Sequence, residues 1–402
     1  MAPGAFEDVK VVEYATMVSG PYCGKLLADM GAEVIKIEEP PRGDPARGRG
    51  PFPKDEPHPE RSSLFMYLNT SKRGVTLDPD RPGGREALRQ LARWADVLVD
   101  NHGPERLDSL GLGWEALRQE NPGLIVTSIT PYGRTGPRSG QKGSELTSYH
   151  AGGMGNSLPT RAVDANRAPV KAGGYPTGYH AGLTAALATA AALMGRHLSG
   201  AGRLVDISEQ EAILALVRTT LAGTIYHRST WSRVPDRPPT MGRMECRDGY
   251  VVVGAFEDHH WRGLVELMGN PEWASDEKWN SRKYRMHHLM EIGALMDEWM
   301  RQQSKEEIHH KGAAKGFAIG PINTAEEVMR YRQYEAREYF VEVEHPEGGR
   351  YRYAGWPYRM SGTPPRVRRP APLLGQDNED VYCGLLGYSA EEFRQLREAG
   401  AV

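Results

Sequence analysis

Short β-branched runs alternate with segments of helical periodicity through the first third of this chain, and that alternation limits the possible folds more than any other feature. Val9 to Tyr14 reads as a strand, Tyr22 to Met30 as a helix and Ala32 to Ile37 as a second strand. A helix follows Asp78, with Pro82 near its start and Leu88, Leu91 and Trp94 at helical spacing; Val97 to Val99 is the next strand. Trp114 to Glu120 repeats the helix and Leu124 to Thr130 the strand. Strands separated by helices of this length pair in parallel, so an open, doubly wound α/β sheet is expected.

Farther on the pattern changes. Pro131 to Arg167 is rich in Gly, Ser and Pro without apolar periodicity, and reads as loops lying over a site at the strand ends. Ala181 to Met194 is alanine-rich and reads as a buried helix. The stretch from Tyr226 carries more Trp, Met, His and charge, with a hairpin strand at Tyr250 to Ala255 and amphipathic helices. With 402 residues, two domains are expected. Residues 1–225 form a large domain, 226–324 a smaller α/β domain, and 325–402 return to the large one through a proline-rich arm and a closing helix, Ala390 to Glu398.

Fifty basic and 52 acidic side chains leave a net charge of −2, which offers no electrostatic footprint for nucleic acid or an anionic membrane. The partner is then a small molecule, and any anion site is local. Cys23, Cys246 and Cys383 are odd in number and widely spaced, which argues against a disulfide framework or a zinc site and for a reduced, cytoplasmic setting. No window has the length and apolarity of a membrane span, and Met1 to Lys10 lacks the pattern of a secretory signal.

Ser19-Gly20-Pro21-Tyr22 joins the first strand to a helix, where free amides can face an anion. An ordered series follows: Gly31 to Glu39 with Gly43-Asp44 and Arg47, then Asn69 to Asp78, Ala95 to Asn101, Leu110 to Trp114, Asn121-Pro122 and Tyr132 to Pro137. It continues through Gly200 to Glu211, Ala318 to Thr324, Arg337 to Val343 and Ala371 to Asn378. Together these blocks resemble the family III CoA-transferases, the group that holds formyl-CoA transferase, carnitine CoA-transferase and α-methylacyl-CoA racemase.

The resemblance implies a Rossmann-like large domain, a small domain and a homodimer of two interlocked rings, with coenzyme A or an acyl-CoA as the ligand and no metal. Arg42, Arg47, Lys72 and Arg73 become candidate phosphate contacts, and Asn101 matches a residue lining the CoA groove. His102 and Gly103 depart from the aromatic and basic residues usual there. The family's nucleophile is an aspartate four residues before a glycine that begins a small-residue helix, and the equivalent position in PVKAGGYPTGYHAG is Gly174. A four-residue slip would give Gly178, equally without a side chain. The racemase histidine falls on Ser144.

Two acidic positions survive by the same alignment, Glu145 and Glu257, and His180 is a third group able to titrate near neutrality. The adjacent His259 and His260 are expected to point apart, and His287-His288 and His309-His310 read equally as surface, so no metal is assigned; no GxSxG elbow, P-loop or HExxH motif occurs. Three functions stay open: acyl-CoA chemistry with a nonstandard catalytic group, proton transfer by an isomerase, epimerase, dehydratase or lyase using Glu257, Glu145 and His180, and noncatalytic binding of CoA esters. The first two extend to a substrate without a thioester.

Overall fold

Six strands, β1 (Lys10–Tyr14), β2 (Glu33–Glu38), β3 (Lys72–Thr76), β4 (Val97–Asp100), β5 (Ile125–Thr130) and β6 (Arg203–Ser208), form one parallel sheet in the order β3-β2-β1-β4-β5-β6. The computed structural model describes residues 3–159, 166–228, 242–254 and 257–402. Pairing is in register, with Val12 opposite Ile35 on one side and Leu98 on the other. Both Val11 and Val12 are fully buried, because this sheet is covered on both faces and successive side chains enter different cores.

One face packs on helices α1 (Ser19–Asp29) and α5 (Pro176–Ser199), which contribute Leu26, Leu27, Ala181 and Ala185. The other packs on α2 (Gly84–Trp94) and α3 (Trp114–Glu120) through Leu88, Leu91 and Leu117. Burying a leucine of this kind contributes about 2 kcal/mol. A short helix, α4 (Glu145–Ala151), interrupts the stretch expected to be loop, and α6 (Glu209–Leu214) and α7 (Arg218–His227) follow β6. Helix α5 is not wholly buried: Leu183, Leu187, Met194 and Leu198 are exposed along it.

The described residues divide into two units, one within Met1–Asn156, Val170–Thr230 and Tyr339–Val402, the other within Ser157–Pro169 and Trp231–Glu338. The second holds an antiparallel sheet of β7 (Arg243–Cys246), β8 (Gly249–Gly254) and β9 (Ala318–Ile322). Its core includes Trp261, Trp279, Met296 and Met300, and α8 (Asp258–Leu267) supplies the first of these. The return to the first unit comes at Tyr339 rather than at 325, because two short helices, Ala325–Met329 and Arg332–Ala336, follow β9 within the second. The chain re-enters with a hairpin, β10 (Phe340–His345) and β11 (Gly349–Ala354), and ends in α9 (Ala390–Glu398), whose Leu396 joins the α2 side of the core.

Candidate functional site

Strand order reverses direction at β1, which lies between β2 and β4, and in open sheets the crevice beyond such strand ends is where ligands bind. Here the crevice is built by hydrogen bonds between loops. Asn101 Oδ1 accepts from the Thr16 amide at 2.8 Å, and its Nδ2 donates to Thr16 O at 2.8 Å and to Ser19 Oγ at 3.2 Å. Asp44 accepts from the Met17 amide at 2.9 Å. Glycine is required where helices close on this point: a Cβ on Gly20 would lie 2.3 Å from that of Ala15, and one on Gly182 would lie 2.5 Å from Ser19 O.

Those close approaches bring the start of α5 beside the start of α1, and further residues gather there. Tyr175, at the N-cap of α5, makes no side-chain cap bond. Instead Glu145 reaches over from α4: Oε1 accepts from the Thr177 amide at 3.0 Å and Oε2 from the Gly178 amide at 2.9 Å. The Lys171 ammonium lies 3.7 Å from Glu145 Oε1 and donates at 2.6 Å to Gly174 O, so one cation touches both the carboxylate and the turn. Gly174 has φ +72°, and nothing lies within 4 Å of a Cβ built on it. Thr177, in the same first turn, is fully buried and its Oγ1 has no hydrogen-bond partner.

Glu209, the first residue of α6, was not singled out by sequence reasoning. Its Oε2 accepts from Ser148 Oγ on α4 at 3.2 Å, and Ser19 also donates to it. Burial raises this carboxyl above its ordinary value, the two hydroxyl bonds oppose that rise, and the charge of Glu145 adds to it. Glu209 therefore leans toward the acid, while Glu145 is held by two amides and an ammonium.

Of the expected phosphate contacts, two are core residues. Lys72 is fully buried, 2.7 Å from Glu13 Oε2 and donating at 2.8 Å to Asn69 Oδ1 and Pro21 O. Arg47, 1% exposed, binds Glu38 at 2.6 Å and Glu60 at 2.5 Å and lies over Phe65. Both belong to an interior charge network in which Lys36 bridges Glu13 at 3.2 Å and Asp44 at 2.8 Å, and neither faces solvent. Arg73 is half-buried and paired with Glu33 at 3.0 Å. Arg42 is exposed on the loop after β2, at a cleft of about 1020 Å³ that Phe52 and His58 also line.

His180 sits half-buried on α5, one turn beyond the Glu145 amides. Glu257 lies in the other unit, exposed and 3.1 Å from Arg282, and with His260 forms the cap of α8. Its surroundings are those of a solvated cap. The His259 and His260 rings lie side by side, 4.1 Å apart, rather than diverging. Among the described residues no group of three or more His, Cys, Asp or Glu side chains is arranged to hold a metal.

The profile of CoA-transferase family III matches residues 6–378. The chain is 31% identical to succinyl-CoA--D-citramalate CoA-transferase of Chloroflexus aurantiacus, covering 98% of this chain and 97% of that one. It is 32% identical to formyl-CoA:oxalate CoA-transferase of Streptomyces coelicolor over the full length of both. The crystal structure of a CAIB/BAIF family protein from Brucella suis superposes with a TM-score of 0.83 at 27% identity, covering 96% of this chain and 100% of that one. A chain matched along nearly its whole length in this way belongs to CoA-transferase family III.

Proposed function

We propose that this protein transfers coenzyme A between small carboxylic acids, with the thioester presented at the entrance of α5. The observation that carries this reading is the Glu145 carboxylate on the Thr177 and Gly178 amides, beside the open turn at Gly174. Those amides hold an anion at this helix start, and the Lys171 ammonium stands beside it as a local cation. Residue 174 carries no side chain, so an aspartyl intermediate at that position has no part in the reaction. Arg42 is the preferred phosphate contact, being exposed and at the rim of a cleft.

A second copy of the chain is the proposed protein partner. Support comes from Leu187, Met194 and Leu198 on α5, 71%, 74% and 84% exposed, and from Ile225 and Tyr226 on α7, 69% and 80% exposed. A cytoplasmic setting follows from three unpaired cysteines.

The relatives act on succinyl-CoA with D-citramalate and on formyl-CoA with oxalate, which sets the panel. Each CoA ester is incubated with each free acid, and new CoA esters are read by mass spectrometry. Exchange with at least one pair supports the reading. Saturable binding of the esters without exchange across a widened panel of acids replaces it with a noncatalytic binder.

A further inference from the structure

We infer that Glu145 supplies the attacking carboxylate of this enzyme, reaching from α4 to the entrance of α5 to do what residue 174 cannot. This rests on the reading that the thioester is presented there.

The placement argues for it in three ways. Both Glu145 oxygens are fixed, one on each of two successive amides, and the side chain is still 17% exposed. Each oxygen spends one lone pair on an amide and keeps another for the carbonyl carbon. The ammonium of Lys171 joins this carboxylate to Gly174 O, so the anion stands next to the turn where the backbone leaves open space. A buried donor without a partner, Thr177 Oγ1, lies in the same helical turn and suits an acyl oxygen that gains charge.

The neighbouring carboxyl, Glu209, is bound by the neutral hydroxyls of Ser19 and Ser148 rather than by a cation, and burial, with the charge of Glu145, raises it above its ordinary value. Two ionised carboxylates in one site would repel each other.

The step balances without added reagents. A Glu145 oxygen forms a bond to the thioester carbonyl carbon, the C–S bond breaks, and the sulfur leaves with the electron pair as CoA thiolate. The thiolate then attacks the Glu145 carbonyl of the mixed anhydride and expels the first acid as its carboxylate, leaving a Glu145 thioester. The acceptor carboxylate attacks that thioester, and the thiolate returns to the acceptor's carbonyl, restoring free Glu145. No proton is gained or lost.

The test uses the whole protein with succinyl-CoA, formyl-CoA and acetyl-CoA as probes. Each mixture is quenched with hydroxylamine or borohydride and the peptides are mapped by mass spectrometry. The expected adduct lies on the peptide containing Glu145. Glu145→Gln should lose the adduct and lower transfer on the order of 10⁴-fold or more, with circular dichroism confirming that it folds. Adding Gly174→Asp to that variant should restore an adduct, now on the peptide containing residue 174.

An adduct on another residue, no adduct with any of the three probes, or exchange that survives Glu145→Gln in the folded protein would each overturn the inference. If exchange occurs but survives Glu145→Gln, the transferase reading stands and this inference falls. If Glu145 is labelled but no acid accepts CoA, the inference stands and the transferase reading falls.

Discussion

Replacing Lys72 with methionine separates a structural charge from a ligand contact. Its ammonium lies 2.7 Å from Glu13 and donates at 2.8 Å to two oxygens, all in the interior between β3, β1 and α1. Lys72→Met keeps much of the volume but leaves Glu13 and Asp44 to share Lys36. Removing one partner of a buried pair costs about 3–5 kcal/mol, because the desolvated opposite charge remains. In urea that moves the unfolding midpoint down by roughly 1 M or more. Loss of a phosphate contact would instead weaken CoA binding about 10- to 100-fold and leave the midpoint alone.

A pH series adds a second readout for the same variant. Burial lowers the Lys72 ammonium to about 8 from its ordinary 10.5, against the pull of Glu13, with the positive charge of Lys36 adding to the fall. Between those values the unfolded chain holds the proton and the folded chain does not, so stability rises with pH across that window. Taking wild type minus Lys72→Met isolates this rise from Lys36, which its carboxylate neighbours hold above its ordinary value although burial opposes them. A variant with an unchanged urea midpoint and weakened CoA binding would refute the assignment of Lys72 to the core.

Arg42→Ala should raise the dissociation constant for CoA about 10-fold, the value of one charge-assisted contact, without lowering the melting temperature; unchanged CoA affinity by calorimetry removes Arg42 from the site. Charging the exposed α5 stripe with Leu187→Glu and Leu198→Glu should halve the sedimentation mass, whereas a wild-type chain that already sediments as a monomer disproves the dimer. The Glu209 carboxyl has a raised folded pKa, so it stabilises the fold fully below its unfolded value and loses that contribution as pH climbs through the raised one. Glu209→Gln should therefore gain stability relative to wild type on going from pH 4 to pH 7 in thermal melts, and an equal difference at both pH values contradicts the buried-acid assignment.

The sheet was legible because its strands are buried on both faces, which gives continuous apolar runs such as Val97 to Val99 and Leu124 to Val126. Strand β3 was harder to read: it opens with Lys72-Arg73-Gly74, and a lysine fully inside a sheet is explained by Glu13 on β1 and Pro21 O on α1, both far away in sequence. Arg47 misled for the same reason, since Glu38 and Glu60 meet it only in three dimensions. Helix α4 carries too few apolar residues to show a period, although its Ser144 and Thr147 capping pair was visible in principle. Glu209 was hidden inside a stretch read for its resemblance, and only the packing of α4, α1 and α6 reveals what surrounds it.

Gly174 and Glu145 are two aspects of one local arrangement. A helix of 24 residues whose Thr177 and Gly178 are buried must satisfy their amides, and a cap from its own chain would come from residue 175 or its neighbours. Tyr175 makes no such bond, Pro176 has no amide to offer, and Gly174 has no side chain, so the Thr177 and Gly178 amides are met by a carboxylate from another helix. Nothing lies within 4 Å of a Cβ at residue 174, so Gly174→Asp would set a carboxylate in that open space, where the Lys171 ammonium already bonds to Gly174 O. An adduct at residue 174 is read most clearly once Glu145 has been neutralised, because two acids at one helix entrance would compete for the same thioester.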